Sequence, residues 1–164
     1  MIVLVLGGAR SGKSAYAEQR ASSLPEPVSY VATASIDGDA DLAARVDEHR
    51  ARRPVSWTTI EAGPDVSGVL RATGGTVVVD ALGPWVAAAP ALEVDAAELC
   101  DALAGREGDT VVVSEEVGLG VHPATEAGRR FRDALGELNQ AVAAIADEVV
   151  LVLAGRALRL EPAG

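Results

Sequence analysis

The apolar run Ile2 to Leu6 passes straight into Gly7-Gly8-Ala9-Arg10-Ser11-Gly12-Lys13-Ser14. The octet fits the pattern G-x-x-x-x-G-K-S/T, and a strand before it with a helix after it is the context in which such a loop cradles phosphate. Glycines let backbone N–H groups approach and converge on an oxyanion, and the N-terminus of the following helix adds a partial positive charge. Each charge-assisted hydrogen bond contributes about 1.5–3 kcal/mol, so the cradle can hold a triphosphate without a basic surface. Lys13 is the only lysine in the chain. One flexible ammonium therefore stands where a β- or γ-phosphate needs it, while arginine fills every other basic position. Ser14 would place its hydroxyl on Mg2+. The bland alternative, a glycine-rich strand-to-helix turn, is disfavoured by the matching context on both sides.

Composition agrees with a local phosphate site. The formal net charge is −10, which argues against nucleic acid or anionic membrane as a non-specific partner, because both demand a cationic surface. Hydrophobic residues make up 49% of the chain but aromatics only 3%, so the core must come from Val, Leu, Ile and Ala, as in a buried parallel sheet flanked by Ala-rich helices. At 164 residues one domain spanning 1–164 is expected, burying about 70% of the surface its unfolded chain exposes. The single cysteine, Cys100, has no partner for a disulfide or a thiolate metal site; it reads as a small core hydrophobe in a reducing, cytoplasmic compartment. The first apolar run is too short to span a bilayer and lacks a leader's basic flank, so neither export nor membrane insertion is expected.

Strand and helix signals alternate along the rest of the chain. A helix is predicted from Lys13 to about Ser23, stopped by Pro25 and Pro27, then a strand over Val28 to Thr33. Asp39 to Arg53 has helical spacing closed by Pro54; Val55 to Ile60 alternates like a strand; Pro64 to Arg71 suits a short helix. Thr76 to Val79 is a β-branched run ending in Asp80, Ala81 to Pro90 is ambiguous, and Glu93 to Ala104 reads as helix. Thr110 to Val113 is the next strand, followed by a turn-rich loop over Val117 to Pro123. Phe131, Leu135, Leu138, Val142 and Ile145 recur at intervals of four and three, marking one face of a long helix. Glu148 to Leu153 is a last core strand, and Ala154-Gly155-Arg156 can turn the chain into an antiparallel edge strand through Leu160. The expected fold is α/β, three layers of the P-loop NTPase type with a mostly parallel sheet.

A metal at such a loop wants a carboxylate at a neighbouring strand tip, which Asp80 offers, although an aspartate there can equally cap a turn or helix. Glu115 and Glu116 follow the next strand and are eligible too, since ligands gather at the carboxyl ends of parallel strands. Of the two histidines, His49 is flanked at four residues on either side by Arg45 and Arg53 on one helical face. Guanidinium neighbours favour a neutral imidazole, available as a nucleophile, and would bind the phosphates it attacks. The competing reading is a solvated basic helix end, stabilised by the helix dipole. His122, beside Pro123, reads as a surface or capping residue.

In order, Gly7 to Glu18, Tyr30 to Ala34, Arg45 to Pro54, Trp57 to Glu61 and most of Val111 to Leu160 closely resemble the bifunctional adenosylcobinamide kinase/adenosylcobinamide-phosphate guanylyltransferases of cobalamin assembly. The resemblance implies phosphorylation of the hydroxyl of adenosylcobinamide's aminopropanol arm, then transfer of GMP from GTP to the phosphate, giving adenosyl-GDP-cobinamide and pyrophosphate. It implies that His49 is the residue guanylylated on the way. It further implies nucleotide contacts from Gly7, Gly8, Ala9, Arg10, Ser11, Gly12, Lys13 and Ser14, from Thr33, Ala34 and Ser35, from Arg50, Ala51, Arg52 and Arg53, and from Glu61 and Asp80. GTP, ATP and Mg2+ are the implied cofactors, the kinase donor being open between ATP and GTP, and a homotrimer is the implied assembly. The segment after Asp80 and the region Gly63 to Gly108 depart from the family pattern. Two rivals remain: a P-loop kinase of another small metabolite, with His49 incidental, and a GTP-driven switch. A Ras-type switch reads guanine through N-K-x-D, which a chain whose only lysine is Lys13 cannot contain.

Overall fold

Uninterrupted β-branched runs bounded by glycine or polar residues form buried parallel strands, because both faces must be apolar. The computed structural model describes residues 1–33 and 53–163, and in it buried strands of this kind form the middle of one seven-stranded sheet, with a more exposed strand at each edge. The seven are β1 (Ile2–Gly7), β2 (Val28–Ala32), β3 (Thr58–Glu61), β4 (Thr76–Asp80), β5 (Thr110–Glu115), β6 (Glu148–Leu153) and β7 (Arg156–Leu160). Their order is β3-β2-β4-β5-β1-β6-β7. Every pairing is parallel except β6 with β7, which is antiparallel.

Alternation along each strand sorts the core into two halves. Leu4, Leu6, Val77, Val79 and Val112 face one side, where they meet α2 (Val66–Ala72), α3 (Leu82–Ala88), α4 (Ala96–Ala104) and α5 (Glu126–Ile145) through Leu70, Leu82, Leu99 and Leu135. Val3, Val5, Val78, Val111 and Val113 face the other, against Ala17 and Ala21 of α1 (Lys13–Ala21). Three layers result, as the sequence predicts. The predicted face of the long helix is the one that packs, Leu135, Leu138 and Val142 being buried with Phe131 and Ile145 beside them. Cys100 packs half-buried against the same core, where burial pushes its thiol pKa up with a further rise from Asp101.

Caps correct several predicted boundaries. Asp65 accepts from the Gly68 N–H and Asp95 from the Glu98 N–H, both at 2.8 Å, so α2 and α4 start after those residues rather than at Pro64 and Glu93. Thr125, not His122, caps α5 by accepting from the Gly128 N–H at 3.1 Å. The strand predicted from Val55 begins only at Thr58: the Trp57 N–H turns back to the Pro54 carbonyl at 3.0 Å, leaving Val55 fully exposed. The ambiguous stretch after Asp80 is helical over Leu82–Ala88.

Candidate active site

The carboxyl ends of β1, β2, β4 and β5 lie side by side in register, Gly7 opposite Glu115 and Ala32 opposite Asp80. The loop Gly7 to Ser14 rises from the first of these. At Gly7 a Cβ would come within 2.7 Å of the Val152 carbonyl and would strike the Ser11 side chain, so only glycine lets the chain leave β1 here. Gly12 enters α1 at φ 96°, a left-handed conformation that glycine adopts freely. Ser11 is buried; its N–H reaches the Gly8 carbonyl at 3.3 Å, its Oγ accepts from the Lys13 N–H at 3.3 Å, and its carbonyl accepts from the Gly155 N–H at 2.8 Å. The side chains of Ala9 and Arg10 point to solvent. The β6–β7 turn thus braces the phosphate loop from outside.

Lys13 and Ser14 open α1 and face two carboxylates. Lys13 Nζ lies 3.5 Å from Glu115 Oε1, with the side chains 13% and 25% exposed, so the ammonium is held at the loop mouth and only partly screened. Glu115 is itself pinned, since its Oε2 accepts from the Gly83 N–H at 2.9 Å and its carbonyl accepts from Asn139 Nδ2 at 3.1 Å. A Cβ at Gly83 would fall 2.9 Å from the Glu115 carboxylate carbon, which is why the start of α3 can approach so closely. Glu116 turns away and accepts from the Gly118 N–H at 2.5 Å, ending the ambiguity between the two glutamates.

Ser14 Oγ donates to Asp80 Oδ1 at 3.3 Å. Asp80 therefore touches the first turn of α1. The Tyr30 hydroxyl donates to Asp80 Oδ2, and Thr33 closes the β2 end with its hydroxyl on the Ala81 carbonyl and its N–H on the Asp80 carbonyl at 3.3 Å. Burial, reinforced by the neighbouring Asp80 charge, pushes the Tyr30 phenol far above its ordinary pKa, so it keeps its proton. The Arg53 guanidinium lies 3.5 Å from the Tyr30 ring centroid and its Nη1 donates to Thr59 Oγ1 at 3.2 Å. Glu61 stands exposed at the end of β3, in register with Ala32, two strands from Asp80. Ala34, Ser35, His49, Arg50, Ala51 and Arg52 lie outside the described residues. His122 is exposed and its Nδ1 accepts from Arg132 Nη1 at 3.0 Å.

A serine hydroxyl and a carboxylate converging beside a phosphate loop are hard oxygen donors of the kind Mg2+ takes, the remaining ligands coming from phosphate and water. Among the described residues no group of three or more His, Cys, Asp or Glu could hold a metal by itself. Among them, too, no helix is long and apolar enough to cross a membrane. Tyr30, Gly83 and Asn139 are the members that residue-by-residue reading does not find, because only strand register and helix packing bring them to Asp80 and Glu115.

Comparison with known proteins agrees with this geometry. The family model described as cobinamide kinase / cobinamide phosphate guanyltransferase matches residues 3–160. The bifunctional adenosylcobalamin biosynthesis protein CobP of Pseudomonas aeruginosa is 38% identical over 96% of this chain and 96% of its own. The bifunctional adenosylcobalamin biosynthesis proteins CobU of Salmonella typhimurium and Escherichia coli are 35% and 32% identical, each over 98% of this chain and 100% of their own. Among solved structures, a prototypical ATPase from the type III secretion system of pathogenic bacteria superposes with a TM-score of 0.53 at 12% identity, over 92% of this chain and 50% of that one, a likeness of fold alone. On a match that runs nearly end to end, the chain belongs to the cobinamide kinase / cobinamide phosphate guanyltransferase family.

Proposed function

We propose that this protein phosphorylates adenosylcobinamide and then guanylylates the product at one nucleotide site, with Lys13, Ser14 and Asp80 handling the triphosphate and His49 carrying GMP between donor and acceptor. The observation that carries the reading is the convergence of Lys13 at the loop mouth with the Ser14–Asp80 pair, in a chain that matches the family over residues 3–160. In the kinase step the substrate hydroxyl oxygen bonds to the γ-phosphorus of ATP or GTP, the bridging bond to the β-phosphate breaks, the nucleoside diphosphate leaves, and the hydroxyl proton passes to solvent. Lys13 and the loop amides offset charge on the departing diphosphate. Ser14 and Asp80 would hold Mg2+, which supplies neutralisation of the phosphate oxygens.

In the second step an imidazole nitrogen of His49 bonds to the α-phosphorus of GTP and pyrophosphate leaves. An oxygen of adenosylcobinamide phosphate then takes the guanylyl group, the N–P bond breaks, and the histidine is regenerated. Arg53, four residues beyond His49, stacks on the Tyr30 ring whose hydroxyl reaches Asp80, and a guanidinium placed there, suited to bind phosphate, supports this assignment. A cytoplasmic homo-oligomer, a trimer by family likeness, is the form in which we expect it to work.

Incubation with Mg2+ and GTP labelled at the α-phosphate is expected to leave acid-labile covalent label on the wild type and none on His49→Ala. Label on the variant removes His49 from the role. Cobinamide phosphorylation without any label in the wild type would favour a kinase alone.

A further inference from the structure

Tyr30 occupies the middle of β2, buried on the face of the sheet that α1 covers. Its register partner on β4 is Val78, and Asp80, two residues farther along, projects from that same face. The contact between phenol and carboxylate is therefore built into the sheet rather than into a loop. The two oxygens of Asp80 meet different hydroxyls: Oδ1 accepts from Ser14 at 3.3 Å and Oδ2 accepts from Tyr30. A carboxylate gripped on one oxygen cannot rotate about its last torsion without losing that bond, so the other oxygen stays aimed at Ser14. The ring has a second use, since its face carries the Arg53 guanidinium at 3.5 Å. A tyrosine that only filled space would need neither contact.

We propose that Tyr30 is a positioning residue for both halves of the chemistry: its hydroxyl fixes the orientation in which Asp80 meets Ser14, and its ring seats the Arg53 guanidinium. The proposal rests on the reading of Ser14 and Asp80 as the cation-holding pair. The two functions are separable, because Tyr30→Phe removes only the hydroxyl, whereas Tyr30→Leu removes the hydroxyl and the aromatic face.

The test uses Mn2+ as probe, followed by electron paramagnetic resonance on the full chain with a non-hydrolysable GTP analogue. Loss of a group that orients a metal ligand lowers metal affinity by about 10–100-fold, so Tyr30→Phe is expected to raise the half-saturating Mn2+ concentration at least tenfold. Tyr30→Leu is expected to match it in Mn2+ retention and, at saturating Mn2+, to take up label from α-labelled GTP about tenfold more slowly than Tyr30→Phe, the scale of one cation–π contact. In an Asp80→Asn background the hydroxyl has no carboxylate to orient, and Tyr30→Phe should then change Mn2+ retention less than about twofold, as coupled neighbours do. An undiminished effect in that background overturns the proposal, since it would mean general destabilisation. Wild-type Mn2+ retention in Tyr30→Phe, with Asp80→Asn impaired, overturns it also while leaving the cation pair intact. Asp80→Asn with normal retention overturns the cation pair and the proposal with it.

Discussion

The two ends of the sheet use the same residue types for opposite purposes. At the amino end every described cation near the strand starts is tied to its own chain. Arg106 donates to the Leu70 carbonyl at 2.7 Å, to the Gly75 carbonyl at 2.7 Å, to the Thr73 carbonyl, and to Thr110 Oγ1 at 3.1 Å. Burial lowers its pKa, yet a guanidinium keeps its charge, and it serves here as a knot joining the end of α2 to the starts of β4 and β5. The terminal amine meets Asp109 at 3.1 Å, Arg20 meets Glu148 at 3.1 Å, and the Ile2 N–H donates to Asp147 at 2.6 Å. At the carboxyl end the lone lysine meets, among the described residues, one carboxylate at 3.5 Å, long for an ion pair and easily exchanged for phosphate. Saturated bonds stabilise a fold, whereas a loosely held cation can be given up to a ligand.

Substitutions at the two ends should therefore separate activity from stability. The largest effect is expected for Lys13→Ala: loss of about a thousandfold or more in kcat/KM for both steps, the scale of removing a preorganised charge from a transition state, with little change in melting temperature. Radiochemical assays beside thermal unfolding check both halves, and near-normal turnover would erase the distinction. Arg106→Ala should do the reverse. Leaving three carbonyls short of a donor costs about 2–3 kcal/mol, or roughly 4–12 °C in a chain of this size, while specific activity at low temperature stays near wild type.

Gly7→Ala tests the seam between the two behaviours. Its Cβ has no room beside Val152 and Ser11, so a loss of about 1–3 kcal/mol is expected together with weaker nucleotide binding; unfolding and calorimetry should move in step. The smallest effect concerns the resting ion pair. Glu115→Gln keeps an acceptor for the Gly83 N–H but stops competing for Lys13, so the triphosphate should bind about two- to fivefold tighter by calorimetry, the scale of a weak, partly exposed pair. Weaker binding would show instead that Glu115 helps to hold the ligand.

The loop was legible in the sequence because its chemistry belongs to consecutive residues: backbone amides, three glycines, one ammonium and a helix start need no distant partner. Asp80 was legible for a related reason, as the polar residue closing an apolar strand. Glu115 and Glu116 could not be told apart, since the choice depends on the N–H of Gly83, 32 residues away in the chain. Val55 misled because period-two alternation continues one turn beyond the strand, where Pro54 has already bent the chain. Spacing alone favoured a solvated helix end over a nucleophile at His49 until family likeness reversed that reading, and its site stands as a proposal.

By itself the sequence determined a buried parallel sheet, a phosphate-cradling loop after its first strand and a nearly aromatic-free core, because these follow from local periodicity and composition. Tertiary structure alone decided that Tyr30 grips Asp80, that Gly83 makes room for Glu115 and that Arg106 knots the far end. Those contacts are set by strand order and register, which join residues between 31 and 50 positions apart. No short-range pattern in the chain encodes such separations.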